Sequence, residues 1–149
     1  MAERELPYNQ FNFLVDLGTG DTDSVQAGFQ EVSGLGMEIN MAEYRAGNET
    51  ENGVRKVPGT YKVPDVTFKR GLIGTVDLFE WVTKARQGSP EKRTIIITLQ
   101  SEDRSTTAAV WTLKEAFPIK YTGPSLNGTG TDVAVEELVV ACEIIEMGE

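Results

Sequence analysis

The sequence contains no histidine and only one cysteine, Cys142, among its 149 residues. Without histidine there is no Ser/His/Asp or Cys/His nucleophilic arrangement, no common zinc site, and no ordinary general base that titrates near neutral pH. A single cysteine can form neither an intrachain disulfide nor a CxxC motif. These absences exclude most familiar hydrolases and thiol redox proteins.

Long apolar runs and an excess of positive charge are also missing. No run approaches the roughly 20 apolar residues of a membrane-spanning helix, and residues 1–10 lack the apolar core of a secretory signal. The net charge is −9, which argues against a protein that grips nucleic acid by neutralising phosphates. We therefore expect one domain, residues 1–149, made in the cytoplasm, with no membrane insertion and no specific nucleic-acid recognition.

The charge is unevenly distributed along the chain. Residues 54–93 contain nine Lys or Arg against four Asp or Glu, whereas the flanking segments are strongly acidic. Such a chain can pair its segments within one fold, or it can bring the basic surface of one copy to the acidic surface of the next. The residues alone favour internal pairing.

Candidate chemical motifs are few, and a structural interpretation is stronger for each. Asp16, Asp21 and Asp23 match no EF-hand spacing and are typical of a surface turn. Glu136 and Glu137 are adjacent, so a strand would point them to opposite faces. Cys142, in an apolar segment, is predicted to be a small buried hydrophobe. The sequence thus predicts no catalytic residue, no metal ligand and no cofactor.

Apolar and polar residues alternate with the period of strands in most of the chain. Seven or eight strands and one helix predict a mainly β fold, a two-sheet β-sandwich or open barrel. The helix is expected at about 75–87, with Thr75 as N-cap and with Val76, Phe79 and Val82 facing a sheet. The polar segment at about 43–62 is expected to form a long protruding hairpin. Residues 132–147 are expected to form one long strand covered on both faces.

Several short motifs, in this order, resemble the inner tail-tube proteins of contractile-tailed phages and phage-derived contractile injection systems. They are VSGL at 32–35 with the following Glu43-Tyr44-Arg45 turn, Pro58-Gly59, Lys69-Arg70-Gly71, the LFEW helix at 78–81, and Ala116-Phe117-Pro118 leading to Glu136-Glu137. The resemblance extends from about Pro7 to Glu146. Each motif alone is weak, and the order makes the resemblance specific.

The resemblance implies a structural protein without enzymatic activity. Its copies would form hexameric rings that stack head to tail into a hollow tube for DNA or protein cargo, inside a contractile sheath and on a baseplate with hub proteins. The product would be a component of a phage tail or injection-system particle. On this basis the interpretation of the charge changes to pairing between copies. The residues expected at subunit interfaces are Tyr44, Arg45, Asn48, Arg55, Lys56, Lys62, Lys69 and Arg70.

Two other functions remain open at this point. One is a tube-initiator or baseplate paralogue of the same fold, which the sequence does not separate from the main tube protein. The other is a monomeric β-sandwich module that binds sugar or peptide, with Trp81 or Trp111 as a stacking platform. For each tryptophan a packing role is the stronger interpretation.

Overall fold

The structure, a computed structural model, describes residues 6–18, 28–74 and 76–148. Nine strands and one helix lie in these ranges. In chain order they are β1 (Phe13–Asp16), β2 (Phe29–Ser33), β3 (Glu38–Tyr44), β4 (Arg55–Lys62), β5 (Val66–Gly71), α1 (Asp77–Arg86), β6 (Arg93–Gln100), β7 (Thr107–Thr122), β8 (Val135–Ala141) and β9 (Ile144–Gly148). The mainly β fold with one helix is confirmed.

Seven of the nine described strands, all except β3 and β4, form two antiparallel sheets that share β7. The first half of β7 lies between β6 and β9, and β1 follows β6; this is the first sheet. The second half of β7 pairs with β8, followed by β5 and then β2; this is the second sheet. β1 and β2 are the two ends of the continuous strand path, so the described strands do not close into a barrel. The expected two-sheet open sandwich is confirmed.

β7 passes from one sheet to the other at a bulge. Arg93 pairs with Ala116, but Ile95 pairs with Leu113, so β7 carries one extra residue there. Glu115 occupies the bulge with φ 56°, in the left-handed region. A bulge of this type bends a strand and increases its twist, which lets β7 contribute to both sheets. The core lies between the sheets and is formed by apolar residues of β1, β5, β6, β7, β8 and α1.

The helix is shorter than expected and presents a different face to the core. Leu78 and Trp81 are its buried residues, whereas Val76 and Phe79, expected to face the sheet, are 58% and 47% exposed. This expectation was wrong for Val76. Phe79 is half exposed but its ring contacts Tyr121 of β7 edge-on, and Val82 packs against the core. Thr75, the expected N-cap, lies outside the described residues.

The segment expected to be one long strand is divided between the two sheets. The even-numbered residues of β8 are buried. The strand ends at Ala141, and Cys142 and Glu143 separate it from β9. Val133 and Met147 are 79% and 70% exposed. The expectation of coverage on both faces was therefore wrong for the single chain, because β9 lies at the free edge of the first sheet.

Candidate assembly surface

The hairpin of β3 and β4 forms a separate two-stranded sheet. It begins at Glu38, five residues before the expected start, because the alternating segment before Glu43 is its first arm. Every residue of both strands is exposed. An isolated two-stranded hairpin is marginally stable in water, so this element has the character of an arm that needs a partner surface.

One face of the hairpin is apolar. Ile39 and Tyr61 are directly opposite each other, and Met41 lies two residues further along the same face. Met37 precedes them in the same alternation. All four are more than half exposed. Large apolar side chains grouped in solvent are typical of an interaction surface.

The loop of the hairpin is held by side chains that sequence analysis assigned to interfaces. The guanidinium of Arg45 donates hydrogen bonds to the carbonyl oxygens of Glu51 (3.0 Å) and Glu49 (3.1 Å). Arg55 forms an ion pair with the Glu49 carboxylate at 3.1 Å. These contacts shape the loop within one chain, although the Arg55 side chain stays 73% exposed.

Four other residues of the expected interface also lie on the hairpin and are exposed: Tyr44, Asn48, Lys56 and Lys62. Lys56 is opposite Glu43 and Lys62 is opposite Glu38 in the strand pairing. The hairpin therefore brings together six of the eight residues expected at subunit interfaces. Lys69 lies outside it, on β5, where it forms an ion pair with Glu31 of β2 at 3.2 Å.

Arg70, the eighth residue, lies inside the protein. Its side chain is 1% exposed. Nε donates to Oε1 of Glu136 at 2.8 Å, Nη1 donates to Oδ2 of Asp77 at 3.1 Å, and Nη2 reaches Oδ1 of Asp77 at 2.6 Å. Because its guanidinium is enclosed by the chain's own carboxylates, we remove Arg70 from the proposed interface set.

This buried cluster joins the helix to the second sheet. Arg70 comes from β5, Glu136 from β8 and Asp77 from the first turn of α1, and the Tyr121 hydroxyl of β7 donates to Oε2 of Glu136 at 2.7 Å. The ring of Tyr121 also meets Phe79 edge-on, with ring centroids 5.5 Å apart. The cluster thus fixes the position of α1 beside the second half of β7.

The cluster changes the pKa of its members. Burial alone would lower the pKa of Arg70, but hydrogen bonds and attraction from Asp77 and Glu136 outweigh it, so the pKa is raised. Burial, followed by the hydrogen bond to Glu136, raises the pKa of Tyr121 to about 12. At neutral pH the cluster therefore contains a charged guanidinium and a neutral phenol, which is a structural arrangement.

Most of the basic segment is paired inside the chain. Besides Arg55, Lys69 and Arg70, three more of its bases lie within 4 Å of a carboxylate: Lys84 and Arg93 with Glu91, and Lys92 with Glu115 and Glu143. Within the described part of the chain, six of the nine bases thus have an internal partner. The preference for pairing between copies therefore needs correction for these six, because their carboxylates come from neighbouring strands and turns of the same fold.

A groove opens between β1 and β2, at the two free ends of the strand path. Its volume is about 470 Å³, and its lining includes Phe11, Phe13, Ile97, Val32 and Trp111. Trp111 packs partly against the core. Trp81 is 1% exposed and its indole N–H donates to the Glu91 carbonyl at 2.7 Å, so Trp81 has a packing role and is not a stacking platform.

The described residues offer little for chemistry. Among them no group of three His, Cys, Asp or Glu side chains could hold a metal ion. Oδ1 of Asp16 accepts a hydrogen bond from the Gly18 N–H at 2.9 Å, as in a surface turn, while Asp21 and Asp23 lie outside the described residues. Burial raises the pKa of the Cys142 thiol, which disfavours the reactive thiolate. Within these ranges no helix is long and apolar enough to cross a membrane.

Sequence comparison gives the family. The profile described as T4-like virus tail tube protein gp19 matches residues 9–146, nearly the whole chain. The chain belongs to this tail tube protein family. The family is structural and not enzymatic. None of the curated proteins matches the sequence.

Solved structures show the same fold. In the PVC sheath-tube complex of an extracellular contractile injection system, a chain is 28% identical, with a TM-score of 0.84, and the match covers 97% of this chain and 93% of that one. In the anti-feeding prophage cap, a tube-terminating cap, a chain is 26% identical, with a TM-score of 0.85 and coverage of 99% and 95%. Hcp1 from Flavobacterium johnsoniae, at 17% identity, a TM-score of 0.56 and coverage of 91% and 94%, shares the fold alone. The family resemblance inferred from the motifs is confirmed.

One result could have been found in the sequence and was missed. Val66, Phe68 and Arg70 alternate on β5, and Glu136, Leu138 and Val140 alternate on β8. A base and an acid in phase with buried apolar residues indicate a buried ion pair. The groove had no such signal, because its lining comes from four strands that are distant in sequence.

Proposed function

We propose that this chain is the repeating one-domain subunit of a hollow inner tube. Six copies form a ring, rings stack head to tail, and the tube carries DNA or protein cargo inside a contractile sheath that starts from a baseplate. The support is the match over residues 9–146 together with the hairpin, whose apolar face is uncovered in the single chain.

The free strand edges fit this role. β1 and β2 end the strand path, and β9 forms a further edge of the first sheet. Unpaired edges are an aggregation risk for a monomer, whereas a closed ring of identical contacts covers them all. The hairpin then contacts the neighbouring ring, with Lys56 and Lys62 among the residues available for charged contacts.

A second candidate is a tube-end protein of the same fold. The chain of the tube-terminating cap is as similar to this one as the chain of the sheath-tube complex. The two functions differ in position, since a tube subunit lies along the whole particle and a terminator lies at one end. Labelling this chain in purified particles and locating the label by electron microscopy separates them.

The role of the hairpin is tested by replacing Ile39 and Met41 with serine. Each side chain is about half exposed in the monomer, so its burial in an interface contributes about 1 kcal/mol. The double variant should raise the critical concentration for seeded tube growth by about 30-fold, with little change in the melting temperature of the monomer.

The matched control is Ala42→Ser, which changes a neighbouring residue on the opposite face of β3. It should assemble like the unmodified protein. Normal growth of the Ile39→Ser, Met41→Ser variant would remove the apolar face of the hairpin from the assembly surface.

A further inference from the structure

The open groove between β1 and β2 lies on the side of the sandwich that α1 does not cover. We propose that this groove receives the exposed apolar turn at the start of α1 from a second copy of the chain, and that this is the lateral contact within a ring. The inference rests on the proposed tube function and specifies which two surfaces meet.

The floor of the groove is apolar, while the exposed Gln10, Gln30 and Glu31 also line it. Phe13 and Ile97 contribute its floor from β1 and β6, Trp111 from β7, and Val32 from β2. Phe11 at its mouth is 64% exposed. The described strands leave this space open because β1 and β2 do not pair with each other.

The opposite side of the fold carries a projecting apolar surface. Leu72, Ile73, Val76 and Phe79 follow one another through the connection from β5 to α1 and the first helical turn, and they are 39% to 58% exposed. We call these four residues the helix patch. The helical end of the patch is anchored, because Asp77, which lies between Val76 and Phe79 in the sequence, is bound by the buried Arg70.

The two surfaces cannot meet within one chain. α1 contacts the second half of β7, which is one edge of the second sheet, and the groove adjoins β2, which is the other edge of the same sheet. Since the helix is fixed at the first edge, only another copy can place a helix patch in this groove. A donor surface and a different acceptor surface on opposite sides give a head-to-tail contact, which closes into a ring when the rotation permits.

The size of the patch suits such a contact. Its four side chains offer about 350 Å² of apolar surface, against roughly 450 Å² for the apolar share of one partner's half of a standard interface. The patch therefore supplies most of the apolar core that a stable contact between copies requires, and the strand edges and rim residues supply the rest.

Cross-linking tests which surface occupies the groove. Ile73→Cys places a thiol in the helix patch, and Gln30→Cys places one on the exposed rim of the groove. The double variant is assembled on tube seeds and treated with a short bismaleimide, and the chains are separated under denaturing conditions. The competing occupant is tested by combining Gln30→Cys with Ile39→Cys on the hairpin, and each single variant controls for the native Cys142, which is buried.

The expected result is a ladder of covalent oligomers up to the ring size for Ile73→Cys with Gln30→Cys, and no ladder for the single variants. Tubes that form normally but give no ladder would overturn this inference and leave the tube function standing. A ladder that forms only when Gln30→Cys is combined with Ile39→Cys would identify the hairpin as the occupant of the groove and would also overturn this inference. Absence of rings and tubes with unmodified protein on seeds would refute the tube function itself.

A substitution in the patch gives a second readout. Val76 is the N-cap residue of α1 and makes no side-chain cap, so Val76→Ser should keep or slightly raise the stability of the monomer, because serine is a preferred N-cap. We expect at least a fivefold loss of ring formation. Glu80→Gln, on the same helix, is the control. Unchanged ring formation by Val76→Ser would contradict the inference.

Discussion

Replacing Glu136 with glutamine tests whether the buried cluster holds the helix on the sheet. Glu136 is 2% exposed and accepts hydrogen bonds from both Arg70 and Tyr121. Glutamine keeps the shape but removes the charge. It therefore leaves the buried guanidinium of Arg70 with Asp77 as its remaining carboxylate.

The expected loss follows from the desolvation of Arg70. Removing one member of a buried ion pair costs about 3–5 kcal/mol because the other charge stays buried. Both carboxylate oxygens of Asp77 still bind Arg70. We therefore expect a loss of unfolding free energy at the lower end of this range, about 3 kcal/mol. For a domain of this length that corresponds to a fall in melting temperature of about 6–12 °C.

The assay is thermal and urea unfolding of the monomeric subunit at neutral pH. Glu137→Gln is the matched control, because Glu137 is the next residue but lies on the other face of β8, and it should change the stability by less than about 0.5 kcal/mol. Equal stability of the two variants would refute the reasoning. Replacing Arg70 by methionine together with Glu136 by leucine should recover most of the loss, because the charge that remains, on Asp77, lies on a side chain that is 35% exposed and reaches water.

Two more predictions concern single residues. The raised pKa of Tyr121, about 12 against its usual 10.0, means that the folded state holds the proton more tightly; the stabilisation is complete below pH 10 and is lost as the pH rises to about 12. The stability difference from Tyr121→Phe should therefore shrink over that range, and a constant difference would contradict the assignment. Gly34 has φ 92°, and an added Cβ would overlap the carbonyl oxygen of Asp65, so Gly34→Ala should cost at least about 2 kcal/mol in urea unfolding. Gly36→Ala, where nothing lies within 4 Å, should change the free energy of unfolding little. Equal losses for the two variants would contradict the predicted overlap at Gly34.

The sequence predicted the fold class because strand alternation is a local signal. It predicted the helix but not its orientation, since two apolar stripes overlap there. The stripe with Val76 and Phe79 has the right spacing, and so does the stripe with Leu78, Trp81 and Val82. The contact between Asp77 and Arg70 turns the second stripe toward the core, and that contact joins residues of different elements.

The sequence also indicated part of the candidate assembly surface, because the signal for the hairpin is local. Six of the eight residues expected at interfaces lie on the hairpin, because a polar segment rich in turn residues is recognisable in sequence. Arg70 was placed on the surface because its charge was considered without its phase, although it alternates with Val66 and Phe68. The internal partners of the other bases depend on strand order, which alternation does not determine.

The most direct test of the tube function is cryo-electron microscopy of the unmodified protein grown on short tube fragments from its parent particle. We predict hollow filaments built from stacked sixfold rings, with the hairpin at the contact between rings, extending along the full length beyond the seed. A protein that remains monomeric at every concentration, or that adds a single ring to the end of the seed and then stops, would contradict the account.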